Sequence, residues 1–463
     1  MLIAHCPLSI AYCLLLIAHC LLPIAYCPLP IACCLLTLGM TNASIITIGD
    51  ELLIGQVIDT NSAFIAQEMN KAGFAVTRRV AVGDDAAEIK RALDEEKQYA
   101  DFILITGGLG PTADDITKPL LCEYFGGKMI VNEAAVANVR HLFLNVFNRP
   151  ESYITERNLK QGEVPDSCTV IQNKKGTAPG MWFSQNVAGK EKIFISMPGV
   201  PHEMMGMMTD DVIPLLLKKF TNAYIAHRTL LTAGVGESFL ADSIKDFEEA
   251  LPANIKLAYL PSYGMVRLRL TTTGDDAAAT NKILDAQFAQ LQEQVKEYLI
   301  TNEDEPVEKA LGKLLIQKNK TMCTAESCTG GYIAHLITAI PGASAFYDGS
   351  VVSYSYRAKE DLLQVDKNIL EANGAVSEEV VRQMAAGALK NIGSDYTIAV
   401  SGIMGPGGGM EGKPVGTVWI CVGDKQNLTA KKFHFRFDRE RNIRFTALNA
   451  MLLMRQFILN VEF

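Results

Sequence analysis

Charge is scarce at the start of this 463-residue chain, for no Lys or Arg precedes Lys71. Residues 1–39 are apolar, and Ile-Ala recurs every seven residues from Ile3 through Ile10, Ile17, Ile24 and Ile31. Without basic flanks this stretch has neither the n-region of a secretory signal nor the positive-inside mark of a membrane span. Pro7, Pro23, Pro28 and Pro30 interrupt any long helix there, at roughly 3 kcal/mol each in a helix interior. The expectation is a translated tandem DNA repeat ahead of a start at Met40, ranked above a membrane anchor, and residues 1–39 are set aside from the fold.

Basic clusters are also missing. A net charge of −8, a pI near 5.5 and the lack of any strongly basic run argue against a nucleic-acid partner, because phosphate contacts need clustered Lys and Arg. Small, locally recognised substrates are expected instead. Six of the eleven cysteines fall within the first 34 residues, and Cys122, Cys168, Cys323, Cys328 and Cys421 are scattered through the rest. The scattered five suit a reducing, cytoplasmic compartment better than a disulfide framework, and Cys323 and Cys328 lack the spacing of redox or zinc pairs. With 49% hydrophobic and 20% charged residues, the chain is a globular protein long enough for about three domains.

From Met40 onward, short apolar strands alternate with amphipathic helices, which predicts an α/β fold with a mostly parallel sheet. Strands are expected at Ser44–Ile48, Phe102–Ile105 and Lys192–Ser196, with Asn61 capping a helix that carries Ile65 and Met69. From about 224 to 300 the pattern becomes that of a small α+β domain, with Val266, Leu268 and Leu270 alternating with arginines after the turn at Pro261–Gly264. A second α/β unit follows the polar break at 302–306. The boundaries read from these shifts are 40–222, 223–301 and 302–463.

Chemistry is concentrated in the glycine-bearing strand ends. In TAESCTGG, residues 324–331, Ser327 stands between a predicted strand and a predicted helix. There the amides of Cys328, Thr329 or Gly330 could hold an oxyanion and glycine lets a substrate approach. The blander alternative is that Ser327 or Thr329 caps the helix. Cys328 is a rival nucleophile. Lys359, if desolvated, could act as base for Ser327, with Tyr354 relaying or positioning the proton; a solvated lysine is the alternative. The segment Ser401–Gly409, with Ser401, Gly402, Gly405, Gly407 and Gly408, could wrap a phosphate or simply be a flexible connection. A Walker A reading fails, since Pro414 follows Lys413 and a strand comes next. In the first unit, Gly107, Gly108, Gly110 and Thr112 precede Asp114 and Asp115, and Asp50 and Glu51 follow an earlier strand. Such carboxylates suit a hard divalent cation bridging to a phosphate, or they are solvated caps.

In combination, TGGLGPTADDIT (106–117), GTAPG (176–180), MPGVPHEM (197–204), TAESCTGG, YSYRAK (354–359) and SGIMGPGGG (401–409) resemble the CinA family over essentially all of residues 40–463. The resemblance implies an N-terminal molybdopterin-binding-like domain, a KH-like linker and a C-terminal domain similar to nicotinamide mononucleotide amidohydrolases of pyridine nucleotide recycling. It makes Ser327 the nucleophile, Lys359 its base and Tyr354 an assistant, with no cofactor required. Arg439 matches a family arginine, although Phe437 stands where the family usually has glycine. For the N-terminal domain it implies metal-dependent hydrolysis of ADP-ribose-type pyrophosphates, with Asn61 and the 107–112 loop at the nucleotide and Asp50, Glu51, Asp114 and Asp115 at the metal. A homodimer is implied. RNA binding is not expected, because Gly234-Val235-Gly236-Glu237 is no GxxG clamp. A pterin- or nucleotide-binding protein without catalysis is the alternative.

Overall fold

The computed structural model describes residues 41–112, 115–220 and 224–460. The seven-residue repeat, the start expected at Met40 and Asp114 lie outside the described residues. The chain forms two compact units, the first comprising most of the residues up to Asn222.

The first unit contains β1 (Asn42–Ile48), β2 (Ala75–Val82), β3 (Phe102–Thr106), β4 (Met129–Val131), β5 (Glu163–Pro165), β6 (Thr169–Ile171), β7 (Gly180–Val187) and β8 (Lys190–Met197). Its six-stranded sheet runs β2-β1-β3-β8-β7-β6. The first four strands are mutually parallel, whereas β7 pairs antiparallel with β8 and β6. β4 and β5 form a separate two-stranded ribbon. Strand β3 reads Phe-Ile-Leu-Ile without alternation because both its faces are covered, and each of these side chains is buried. Burial of such side chains stabilises the fold by about 1.5–3 kcal/mol apiece. The helix Ala86–Tyr99 that packs on the sheet begins at Asp85, whose carboxylate accepts the Ala87 and Glu88 amides.

The second unit opens with an antiparallel sheet of order β10-β11-β9-β12, made from β9 (Tyr224–Ala233), β10 (Ile255–Ser262), β11 (Met265–Gly274) and β12 (Leu299–Thr301). The helix Ala277–Gln294 places Leu284, Phe288 and Leu291 in its core. A five-stranded sheet follows, β14-β13-β15-β16-β17, from β13 (Met322–Glu326), β14 (Tyr347–Val352), β15 (Tyr396–Gly402), β16 (Thr417–Gly423) and β17 (Leu428–His434). β13 is parallel to both neighbours, and β16 and β17 are antiparallel. Leu231, Ala233, Met265 and Ile300 of the smaller sheet share one hydrophobic core with Leu311, Met451 and Met454. The two parts of this unit are therefore packed together rather than merely tethered. No helix among the described residues is long and apolar enough to cross a membrane.

From β13 the chain goes first to β14 on one side and then to β15 on the other. The crevice beyond the carboxyl end of β13 is thus a topological switch point, where ligands of open α/β sheets bind.

Candidate active site

Ser327 is the residue immediately after β13, and its amide donates to the Val400 carbonyl of β15 at 3.1 Å. The following turn needs two left-handed residues, and Gly330 (φ 62°) and Gly331 (φ 95°) supply them. The helix Tyr332–Thr338 begins next. Neither Ser327 nor Thr329 caps it. Glu326, 0% exposed, takes that role. Its carboxylate accepts the Gly331, Ile333 and Ala334 amides at 3.1, 3.0 and 2.8 Å and the Thr329 hydroxyl at 2.7 Å. Charge-assisted bonds of this kind satisfy the helix's orphan donors, so the serine hydroxyl is released for other work. The Gly330 amide closes the turn on the Ser327 carbonyl at 3.2 Å, which removes it from the expected oxyanion donors. The amides of Cys328 and Thr329 lie at the Cys328 sulfur.

Lys359 lies in the helix Tyr356–Leu363, capped by the Ser355 hydroxyl on the Ala358 amide. Helical side chains lean toward the N-terminus, which carries its amine back over the preceding loop. Nζ stands 2.9 Å from Ser327 Oγ, 2.7 Å from the Ser353 carbonyl and 3.4 Å from the Tyr354 carbonyl. Lys359 is 0% exposed, and this burial lowers its pKa to about 8. A neutral amine has two N–H bonds, enough for the two carbonyls, which leaves its lone pair for the serine hydroxyl. Cys328 is disfavoured as nucleophile, since burial pushes its thiol up to about 12.

Ser327, Cys328, Lys359, Tyr354, Ser401, Gly402 and Arg439 line one cavity of about 150 Å³. Ala375, Val376 and Met404 complete it. Ser401 is buried and donates to the Ala375 carbonyl at 2.7 Å, fixing that wall. Arg439 opens the long helix Arg439–Leu459, and its guanidinium donates to the Gly405 carbonyl at 2.8 Å and the Tyr354 hydroxyl at 3.1 Å. Of the two roles expected for Tyr354, relaying or positioning the proton, this contact favours positioning. Its side chain is 64% exposed and its hydroxyl is held by Arg439, so only its carbonyl touches Lys359. Gly407 and Gly408 are exposed and outside the cavity lining, and Gly405 reaches it only through Arg439.

Two residues of this site escaped sequence reasoning. Glu326 carried no assigned role; an acid directly before a serine-glycine turn was the available signal. Asn442, fully buried, donates to the Met404 and Phe437 carbonyls at 3.1 and 2.9 Å and so ties the 401–409 loop to the Arg439 turn. Nothing in its surroundings in sequence marks it.

In the first unit, the ends of β1, β3 and β8 bring the expected residues together. The helix Thr60–Lys71 is capped by Asp59, which accepts the Ser62 amide at 2.8 Å. Asn61 is therefore not the cap. Its amide group donates instead to the Gly199 carbonyl at 2.7 Å and Thr106 Oγ1 at 3.2 Å. A Cβ on Gly107 would lie 2.1 Å from the Ile48 carbonyl, so only glycine fits where these loops cross. Asn61 Oδ1 and Thr117 Oγ1 are buried without partners, which suits a polar ligand. Among the described residues, the expected carboxylates turn to the protein's own backbone or to solvent. Asp115 accepts the Gly110 and Thr112 amides at 2.7 and 2.9 Å and the Thr112 hydroxyl, locking its own loop. Asp50 exchanges hydrogen bonds with Asp84, and Glu51 is exposed. Among the described residues no group of three or more His, Cys, Asp or Glu side chains could hold a metal ion.

Three family models match the sequence: a probable molybdopterin binding domain over residues 44–218, the damage-inducible protein CinA KH domain over 227–301 and the CinA C-terminal domain over 304–458. The CinA-like protein of Cytophaga hutchinsonii is 44% identical over 420 residues, 91% of this chain and 99% of that protein. The CinA-like protein of Flavobacterium psychrophilum is 43% identical over 413 residues, 89% of this chain and 97% of its own length. Among solved structures, a competence-damaged protein (CinA) superfamily protein from Klebsiella pneumoniae matches at 34% identity, covering 34% of this chain and 99% of its own, with a TM-score of 0.32.

Proposed function

The chain belongs to the CinA family, and from that premise we propose that its C-terminal part hydrolyses the carboxamide of nicotinamide mononucleotide, giving nicotinate mononucleotide and ammonia. The observation that carries this reading is the buried Lys359 amine 2.9 Å from Ser327 Oγ at the mouth of a glycine turn.

With its pKa lowered to about 8, roughly a tenth of the Lys359 side chain is neutral at pH 7. The lone pair takes the Ser327 proton as Oγ attacks the carboxamide carbon, whose pyridinium ring withdraws electrons. The Cys328 and Thr329 amides, next to the nucleophile, are the candidate donors to the oxygen that gains charge. The Lys359 ammonium then returns its proton to the departing nitrogen, which leaves as ammonia. Water, deprotonated by the same amine, releases the acyl group and restores Ser327. The cavity of about 150 Å³ is smaller than a typical small-molecule pocket, so it takes the ring and its carboxamide. The ribose phosphate is left toward Arg439, a bidentate donor suited to it.

For the N-terminal unit we propose a nucleotide site at Asn61, Thr106 and the 107–112 loop, with ADP-ribose as candidate substrate. The unpartnered Asn61 Oδ1 and Thr117 Oγ1 support a polar ligand there. The carboxylates of Asp50 and Asp115 accept neighbouring backbone amides.

Ammonia release from the mononucleotide by the full chain tests the main reading. We expect release by the wild type and its loss in Ser327→Ala, with nucleotide binding retained. A wild type that binds the nucleotide but releases no ammonia would favour a carrier of nucleotides or pterins.

A further inference from the structure

The four-stranded sheet of the second unit has no role in the reaction so far described, yet its β10–β11 hairpin ends against the helix that presents Arg439. Ser262 pairs with Met265, leaving a two-residue turn of Tyr263 and Gly264 with φ of 49° and 79°. Both positions of such a turn need positive φ and ordinarily carry Asn and Gly. An aromatic residue at the first is held at a cost of order 1 kcal/mol, so something in its surroundings must fix it.

That something is the start of the helix Arg439–Leu459. The Tyr263 ring meets Phe445 edge-on at 5.6 Å, and a Cβ on Gly264 would lie 3.5 Å from the same ring. Phe445 in turn stacks on Phe437 at 4.5 Å and 13°. Phe437 is the residue before the cap, Asp438, and two before Arg439. Residues at this position often pin the chain's approach to a helix by packing on the following turn; here the packing partner lies two turns on. A polar route runs in parallel. The Arg444 guanidinium donates to the Tyr263 hydroxyl at 2.7 Å and to Glu440 in the helix's first turn at 2.6 Å.

We propose that Tyr263 is a positioning residue for the amidase site, holding Arg439 toward Tyr354 and Gly405 through the Phe445–Phe437 stack. This rests on the reading of Ser327 and Arg439 given above. The hairpin acts on the arginine and not on the Ser327–Lys359 pair, which stands on other elements. Its loss should therefore weaken binding of the nucleotide phosphate and leave the chemical step nearly intact.

The test uses the full chain with Tyr263→Ala, Tyr263→Phe, Phe437→Ala and Arg439→Ala. Tyr263→Ala and Phe437→Ala are expected to raise KM for the mononucleotide about fivefold with kcat nearly unchanged, the range of a short coupled chain of contacts. Tyr263→Phe keeps the ring and should stay within about twofold of wild type. Adding Tyr263→Ala to Arg439→Ala should add nothing, because both remove the same interaction. Hydrogen exchange of the 437–442 amides should quicken in Tyr263→Ala, a readout that needs no catalysis. Absence of ammonia release by the wild type would count against the amidase reading, leaving exchange to decide this one. Unchanged exchange, faster exchange without a higher KM in an active enzyme, or an additive double variant would each overturn the proposal.

Discussion

Two lysines whose pKa is lowered by burial, one in each unit, invite comparison. Lys118 and Lys359 are both shielded from water, and burial lowers each pKa to about 8. Their neighbours differ. Lys118 donates to the Gln161 carbonyl at 3.0 Å, an acceptor that can neither give nor take a proton. Lys359 faces a serine hydroxyl at 2.9 Å at the end of a central strand, beside a cavity. A lowered pKa thus records burial, and it becomes chemistry only when a group with a transferable proton stands at the amine. The largest test of that contrast is Lys359→Met, which keeps the volume and removes the base. Ammonia release should fall about a thousandfold, the range of a lost general base, while the melting temperature holds or rises.

A second prediction concerns why Lys359 meets a free serine at all. Glu326 satisfies four donors around the turn. Glu326→Ala should cost roughly 3 kcal/mol by leaving buried amides unpaired and should lower kcat as the Cys328 and Thr329 amides lose their aim. Glu326→Gln, which retains one acceptor oxygen, should lose less in denaturant titrations.

The smallest expected effect sharpens the other half of the comparison. Lys118→Met should leave ammonia release unchanged and alter stability at neutral pH by about 1 kcal/mol or less, because lost desolvation offsets a lost hydrogen bond. The pH dependence carries a definite sign. The folded pKa of about 8 lies below the ordinary 10.5, so below 8 both states hold the proton and the buried charge destabilises fully. As pH climbs from about 8 to 10.5 the folded state sheds its proton first, and stability rises. Lys118→Met should remove the Lys118 share of that rise in urea titrations across this range and leave the Lys359 share.

Sequence patterns disclosed the strands well, since β1, β3, β8, β13 and β15 each carry an apolar run ending at a glycine-bearing loop. They also disclosed Ser327 and Lys359, but only as candidates, because a serine before a helix is usually a cap and a lysine near a helix start is usually solvated. What decided between these readings was not local. Glu326 relieved Ser327 of capping through hydrogen bonds to residues up to eight positions away, and Lys359 was dehydrated by distant packing. The antiparallel strands β16 and β17 interrupt an otherwise parallel arrangement, which alternation of elements alone does not foretell. Asp115 turned inward to its own loop, where it accepts the amides of Gly110 and Thr112. Asn61 lost the cap to Asp59 two residues earlier, a shift within the ordinary error of helix boundaries.

The central claim is that an uncharged Lys359 draws the proton from Ser327, and the pH dependence of kcat/KM for ammonia release tests it most directly. Measured from about pH 6 to about pH 10, the value should rise about tenfold per pH unit and level off near the lysine's pKa of about 8. A profile that is flat across that range, or that falls as the amine loses its charge, would contradict the account.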